Sequence, residues 1–224
     1  MVGKSRMTDR KGNCKSLDHY TESDVLIEGT GIILAGGENK RMPVLKPFIE
    51  INGERIIERS LRIMKRLFRE TVIVTNQPEH YLYLETRMLG DAYNIRGPMT
   101  GVFTALLNAP SAWVFVSACD MPFINEELIR YMASKRHDCD AVVPLLNNRA
   151  EPLFAFYSGR LLPPMEKAVL SGKTALKDFL VNKRVKYVKT GEIKSIDRDA
   201  RSFINLNCPE DMRHCLCSGR QGRN

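Results

Sequence analysis

The fold is decided by the stretch G-I-I-L-A-G-G-E-N-K-R-M-P-V-L-K-P, which occupies residues 31–47. Its first part, Ile32 to Ala35, is a short apolar run typical of a buried strand, and the run stops at Gly36-Gly37. Glycine lets the backbone approach a ligand and turn amide groups towards it, because no Cβ stands in the way. Three cations follow within reach of those amides: Lys40, Arg41 and Lys46. The stretch predicts a strand that ends in a polyphosphate-binding loop, although an ordinary glycine turn beside a solvated basic surface would share this composition.

The composition indicates one ordinary globular domain. The chain has 224 residues, of which 43% are hydrophobic and 27% are charged. No apolar run approaches the roughly 20 residues that span a bilayer, and residues 1–23 lack the apolar core of a secretory signal. We therefore expect a cytoplasmic protein without a membrane partner.

The net charge of +8 admits anionic partners, but part of the excess lies at the two ends of the chain. A nucleic-acid binder would more commonly carry a basic stripe with interleaved aromatic residues, and the sequence shows none. Nucleic acid is therefore not expected as a partner. An excess of basic residues also suits an enzyme whose substrates all carry phosphate groups.

Strands and helices are predicted to alternate through residue 146. Apolar strands are expected at 71–75, 113–118 and 141–146, and helices at 56–67, 102–108 and 126–134. A helix is also expected from Pro78 to about Leu89, and a last short strand from Phe203 to Leu206. The pattern predicts a single doubly wound, mainly parallel, Rossmann-like α/β sheet flanked by helices. We expect a mobile leader over 1–28, one domain over 29–217 and a flexible tail over 218–224.

Such sheets bind ligands outside the carboxyl ends of their strands, where the glycine loop, residues 91–101 and Asp120 should converge. Asp120 follows a very apolar strand, where a carboxylate is costly unless it is exposed or bound to a cation. Mg²⁺ is commonly held by one or two carboxylates together with substrate phosphates. Asp120 is therefore a candidate Mg²⁺ ligand, while a turn or helix-cap role before Pro122 is the alternative.

Four stretches resemble the molybdenum cofactor guanylyltransferases, a family of nucleotidyltransferases. The first stretch is similar to the family pattern L-A-G-G-x-S-x-R-M-G-x-D-K, from which Asn39, Pro43 and Leu45 depart. The run from Cys119 to Phe123 is similar to C-D-x-P-[FY], and the run from Gly97 to Gly101 is similar to G-P-L-A-G. Residues 203–211 are similar to F-x-N-x-N-T-P-E-[DE].

The resemblance implies transfer of GMP from GTP to the terminal phosphate of molybdopterin carrying molybdenum or tungsten, with Mg²⁺ as the cofactor. It also suggests other proteins of molybdenum cofactor biosynthesis, or the proteins that receive the cofactor, as partners. It assigns catalysis to Lys46, Arg41 and Asp120, with Asp120 as the metal ligand. The residues implied in binding the nucleotide, its phosphates and the pterin are Leu34, Ala35, Gly36, Gly37, Lys46, Asp91, Gly97, Pro98, Asp120, Asn205 and Asn207. Asn207 is equally placed to cap a helix beginning at Pro209.

Three alternatives stay open from the sequence. A sister enzyme would transfer CMP to the same pterin or build another nucleotide-activated sugar or cofactor. A GTP-binding module without catalysis would fit the departures at Asn39, Pro43 and Leu45. Binding of RNA through the basic ends would give a steeply salt-dependent affinity that trimming residues 1–28 abolishes.

Overall fold

The computed structural model describes residues 25–36 and 46–206. The described strands are β1 (Ile27–Leu34), β2 (Glu50–Ile51), β3 (Glu54–Arg55), β4 (Phe68–Val74), β5 (Met88–Leu89), β6 (Trp113–Ala118), β7 (Ala141–Leu146), β8 (Arg149–Ala150), β9 (Phe154–Ser158) and β10 (Val185–Lys189). The described helices are α1 (Ile56–Leu67), α2 (Pro98–Asn108), α3 (Glu126–Ser134), α4 (Leu162–Leu170), α5 (Leu176–Leu180) and α6 (Thr190–Ile196).

The central sheet has the strand order β10-β7-β9-β6-β1-β4-β5, with β8 added beside β7. The central strand β1 pairs in parallel with β4 and with β6, so that Leu34 lies level with both Val74 and Ala118. Strand β9 runs antiparallel to its two neighbours, β6 and β7. The prediction of a doubly wound, mainly parallel sheet is confirmed, with β9 reversed inside it.

Helices cover both faces of the sheet. On β1, Ile33 packs into an apolar cluster with α1, α3 and α6, whereas Ile32 and Leu34 pack into a second cluster with α2, α4 and α5. Ile32 is 1% exposed and Ile33 is fully buried. Because a strand covered on both faces has no solvent side, its sequence is continuously apolar rather than alternating.

Several local features follow directly from the sequence. Strand β6, helix α3 and strand β7 have the predicted bounds. Asn125 caps α3 by accepting a hydrogen bond from the Leu128 amide at 3.0 Å. Asn52 and Gly53, with φ of 55° and 80°, form the two-residue turn between β2 and β3, a backbone shape that Asn-Gly favours.

Other local predictions are wrong. The helix predicted from Pro78 is replaced by two 3₁₀ turns, Pro78–His80 and Leu82–Leu84, followed by Glu85 at φ 45°. In this segment Tyr81 is buried, and Leu84 and Met88 pack against the same core cluster, but Glu85 lies in the left-handed region, which an α-helix does not accommodate.

The strand predicted at residues 203–206 is also absent from the described part of the chain. The 3₁₀ turn Arg201–Phe203, whose amides at 201 and 202 donate to the Asp197 carboxylate, ends at the start of this segment, and residues 204–206 have no regular structure. The Leu206 amide donates to the Asp120 carbonyl rather than to a neighbouring strand. Strand β1 begins at Ile27, two residues before the expected start of the domain, and helix α6 was not expected. Among the described residues, no helix combines the length and the apolar composition required to cross a bilayer.

Candidate active site

Four neighbouring strands deliver polar or glycine-rich segments to one edge of the sheet. In spatial order these segments follow β6, β1, β4 and β5, and they contain Asp120, Gly36, Asn76 and Asp91. Backbone hydrogen bonds join the strand ends: the Cys119 amide donates to the Leu34 carbonyl at 3.1 Å and the Ala35 amide to the Val74 carbonyl at 2.9 Å. This edge is the crevice at which doubly wound sheets bind ligands.

Lys46 and Asp120 meet at this edge although 74 residues separate them in the chain. The Lys46 Nζ atom lies 3.2 Å from Asp120 Oδ2, and the two side chains are 26% and 19% exposed. A cation and a carboxylate that stay partly open to solvent can both reach a bound ligand. The structure thus brings together two of the three residues to which the resemblance assigns catalysis.

Asp91 is held in position by Asn76. The Asn76 side-chain amide donates to Asp91 Oδ2 at 2.7 Å, and the Asp91 backbone amide donates to Asn76 Oδ1 at 2.9 Å. A Cβ placed on Gly101 would lie 3.1 Å from Leu34 Cδ2 and 3.8 Å from Asp91 Oδ1. Leu34 and Asp91 therefore converge on the first turn of α2, where a nucleotide would lie if it used this loop.

The loop that leads into α2 is braced by the opposite half of the chain. Gly97 has φ of 149° and packs so closely on Thr174 that a Cβ at position 97 would lie 2.6 Å from the Thr174 Cβ. Pro98 then occupies the first position of α2, which suits its fixed φ. Tyr93, in the same loop, donates a hydrogen bond to Glu166 at 2.6 Å.

Asn205 reaches the site through its neighbour Leu206. The Leu206 amide donates to the Asp120 carbonyl at 3.2 Å, which places residues 205–206 against the Asp120 loop. The Asn205 Oδ1 atom is buried and has no hydrogen-bond partner within residues 25–36 and 46–206. A buried amide oxygen left without a donor is costly, so this atom is suited to accept a hydrogen bond from a ligand.

Cys119 lies between the end of β6 and Asp120. Burial, reinforced by the negative charge of Asp120, raises the pKa of its thiol to about 12. Burial also raises the pKa of the nearby Tyr81 hydroxyl. Both groups therefore stay neutral at physiological pH. The charged side chains beside the Cys119 thiol are those of Lys46 and Asp120.

The donor set at Asp120 fits a magnesium ion that arrives with phosphates. Within the described ranges, no three His, Cys, Asp or Glu side chains are grouped so that they could hold a metal unaided. Mg²⁺ does not require such a cage, because it commonly keeps several waters and takes one or two carboxylates plus substrate phosphates. Asp120, partly exposed at the crevice, is the carboxylate placed for that role.

Three predicted site residues, Gly37, Arg41 and Asn207, lie outside the described residues. Sequence reasoning missed Asn76 and Thr174. Asn76 carried a usable signal, because it follows a predicted strand at the same edge as the other site residues. Thr174 carried no sequence signal, since its contact with Gly97 arises only from the packing of α4 and α5.

A mainly parallel sheet that brings Gly36, a lysine–aspartate pair and the braced loop before α2 to its carboxyl edge is typical of α/β enzymes that bind nucleotides. The family model of the MobA-like NTP transferase domain matches residues 31–187, well over half of the chain. The chain therefore belongs to the MobA-like NTP transferases, and it is a nucleotidyltransferase.

Related proteins agree with this assignment. The chain is 35% identical over 187 residues to the "Probable molybdenum cofactor guanylyltransferase" of Pelotomaculum thermopropionicum, covering 84% of this chain and 91% of the relative. It is 33% identical over 196 residues to the "Molybdenum cofactor guanylyltransferase" of Desulfosudis oleivorans, covering 87% and 97% of the two chains.

A solved structure shows the same fold. The crystal structure of molybdopterin-guanine dinucleotide biosynthesis protein A from Archaeoglobus fulgidus superposes with a TM-score of 0.74 at 26% identity. The alignment covers 85% of this chain and 99% of that protein.

Proposed function

We propose that this protein transfers GMP from GTP to the terminal phosphate of molybdopterin carrying molybdenum or tungsten. The products are the guanine dinucleotide form of the cofactor and pyrophosphate. The observation that carries the proposal is the Lys46–Asp120 pair, 3.2 Å apart at the carboxyl edge of the sheet, in a chain whose relatives are named for this reaction.

The reaction is a displacement at phosphorus. An oxygen of the molybdopterin phosphate attacks the α-phosphorus of GTP, a new P–O bond forms, and the bond from the α-phosphorus to the bridging oxygen breaks so that pyrophosphate leaves. Little covalent chemistry falls to the protein, which contributes by positioning the reactants and stabilising negative charge. Lys46 Nζ is the donor placed to stabilise that charge, and we propose that Arg41 assists it.

Nucleotide binding is proposed for the glycine turn and for the loop before α2. The backbone from Leu34 to Gly37 approaches the triphosphate, and Asp91, fixed by Asn76, accepts hydrogen bonds from the nucleoside. Gly97 and Pro98 shape the loop that borders this region. We also propose that Asn205 and Asn207 contact the pterin, since side-chain amides can both donate and accept.

We propose Mg²⁺ as the metal and Asp120 as its protein ligand. When bound, the ion would neutralise part of the phosphate charge. Asp120 would hold the ion while Lys46 Nζ, 3.2 Å from its carboxylate, would supply a second positive charge to the phosphates. We further propose the cytoplasm as the site of action, because GTP is available there.

The test is product formation with a full balance of phosphate species. The protein is incubated with GTP, Mg²⁺ and molybdenum-loaded molybdopterin, and the dinucleotide, pyrophosphate and orthophosphate are measured. We expect one pyrophosphate for each dinucleotide formed and no release of orthophosphate in the absence of pyrophosphatase. Binding of GTP without pyrophosphate release would instead indicate a non-catalytic GTP-binding module.

A further inference from the structure

A small apolar cluster lies apart from the two main layers of the core. It consists of four buried side chains, Ile49, Ile51, Ile56 and Leu206, which are between 0% and 6% exposed. Three of these residues surround the hairpin of β2 and β3, whereas Leu206 comes from the far end of the described chain. We call this group the satellite cluster.

The satellite cluster is tied to Lys46 on one side. Lys46 begins a short 3₁₀ turn, Lys46–Phe48, and the Ile49 amide donates to the Lys46 carbonyl at 3.2 Å. The Ile56 amide in turn donates to the Ile49 carbonyl at 3.0 Å. The backbone that carries the lysine is therefore anchored by residues whose side chains pack on Leu206.

The cluster is tied to Asp120 on the other side. The Leu206 amide donates to the Asp120 carbonyl at 3.2 Å. The same residue thus packs against the lysine segment through its side chain and holds the aspartate segment through its backbone.

The segment that carries Leu206 is itself fixed by a buried carboxylate. Asp197 is 7% exposed and accepts hydrogen bonds from the Arg201 amide at 3.0 Å and the Ser202 amide at 2.8 Å. Ser202 Oγ accepts a hydrogen bond from the Asn125 amide at 3.1 Å, beyond the Asp120 loop. Residues 197–206 therefore form a strap across the loop that holds Asp120.

From these contacts we infer that Leu206 is a positioning residue, which sets the distance between Lys46 and Asp120 through the satellite cluster. This inference rests on the proposed function for its kinetic consequence only, since the contacts themselves are independent of the reaction. Truncation of Leu206 would let the lysine and aspartate segments move relative to each other, and small displacements of catalytic groups can lower rates by about 100-fold. A role in stability alone would lower the folded fraction without altering the pair.

The test compares Leu206→Ala with Leu161→Ala. Leu161 is 2% exposed and packs in the α2, α4 and α5 layer, following β9 at the opposite edge of the sheet. Both changes remove the same atoms from a buried site, so both should destabilise the fold by an amount measurable by urea unfolding. The volume-conserving change Leu206→Met serves as the rescue variant.

Two properties are measured under conditions in which all the variants remain folded. For Leu206→Ala we expect kcat to fall 10- to 100-fold, while Leu161→Ala stays within twofold and Leu206→Met recovers most of the loss. The affinity for Mn²⁺, measured by electron paramagnetic resonance with an α,β-methylene analogue of GTP, should fall at least fivefold in Leu206→Ala only. If Leu206→Ala does not fold, Leu206→Val replaces it, with an expected threefold to tenfold loss of kcat.

Equal kcat and equal Mn²⁺ affinity in the Leu206→Ala and Leu161→Ala variants would overturn the inference. The Mn²⁺ measurement needs no pterin, so it decides the role of Leu206 even if the wild type does not turn over with molybdopterin. Absence of turnover by the wild type would contradict the proposed function. A loss of Mn²⁺ affinity in Leu206→Ala alone would still support the positioning role of Leu206.

Discussion

Substitution of Gly97 by alanine tests whether the nucleotide loop depends on its close contact with the α4–α5 connection. A Cβ at position 97 would lie 2.6 Å from Thr174 Cβ, 2.9 Å from Thr174 Oγ1 and 3.2 Å from Thr174 Cγ2. Gly97 also has φ of 149°, which residues with a side chain rarely adopt, and it precedes Pro98, which restricts its conformation further. The alanine variant therefore faces both a steric and a backbone penalty.

The two penalties can be given rough sizes. Inserting a methyl group into a packed site costs about 1–3 kcal/mol, and an unfavourable backbone conformation costs about 1–3 kcal/mol. We expect Gly97→Ala to destabilise the protein by about 3 kcal/mol, or to move the loop and raise KM for GTP by about tenfold, since 1.4 kcal/mol corresponds to a factor of ten. In a protein of this size, 3 kcal/mol lowers Tm by about 6–12 °C.

The assay combines thermal unfolding with the KM for GTP, and two further variants separate the causes. Thr174→Gly in the Gly97→Ala background removes all three contacting atoms. The double variant should therefore lose the steric penalty of Gly97→Ala and keep the penalty that comes from the backbone conformation. Gly191→Ala is the control, because a Cβ there meets nothing within 4 Å, and it should leave Tm and KM nearly unchanged. A Gly97→Ala protein with the Tm and KM of the control would refute the reasoning.

Three further outcomes are expected. Lys46→Ala should lose about 3 kcal/mol of transition-state stabilisation, which lowers kcat/KM by about 100-fold. A Lys46→Ala variant with the wild-type kcat/KM would show that Lys46 has no catalytic role. The Cys119 thiol, with its pKa raised to about 12, should react with iodoacetamide at pH 8 at least 100-fold more slowly in the folded than in the unfolded protein, as measured by mass spectrometry of the labelled peptide. Hydrogen bonds from Arg184 lower the pKa of Asp140, so this carboxylate stabilises the fold above pH of about 4 and the contribution is lost as the pH falls further. Asp140→Asn should therefore cost up to about 1 kcal/mol in urea unfolding at pH 7 and progressively less as the pH falls below about 4, whereas a pH-independent cost would contradict this assignment.

The sequence was sufficient to predict the sheet and the edge at which the candidate site residues lie. The continuous apolar runs of β1, β4 and β6 reflect strands covered on both faces, and the position of Asp120 after β6 follows from the rule for carboxyl ends. The Asn-Gly turn and the Asn125 cap were predictable because their hydrogen bonds and backbone angles are local.

Features that depend on distant contacts were not predictable. The segment after Pro78 carries apolar residues at plausible helical spacing, and Tyr81, Leu84 and Met88 pack against the core, but the backbone turns at Glu85 in the left-handed region. The strand predicted at 203–206 is absent because this segment pairs with no described strand of the sheet. Its Leu206 amide donates instead to the carbonyl of Asp120, far away in the chain, a contact that no local pattern reveals. The contacts of Thr174 with Gly97 and of Leu206 with the satellite cluster likewise join segments far apart in the chain. The sequence therefore proposes candidate site residues but does not reveal the contacts that position them.

The most direct test of the central claim is pyrophosphate release with Mg²⁺ and loaded molybdopterin, measured in parallel with GTP, CTP, ATP and UTP and with wild type and Asp120→Ala. We expect turnover with GTP and none with the other nucleotides, and we expect Asp120→Ala to abolish the activity with GTP. Preference for CTP would contradict guanylyl transfer and indicate the cytidylyl reaction on the same fold. Turnover by Asp120→Ala at the wild-type rate would contradict the site itself.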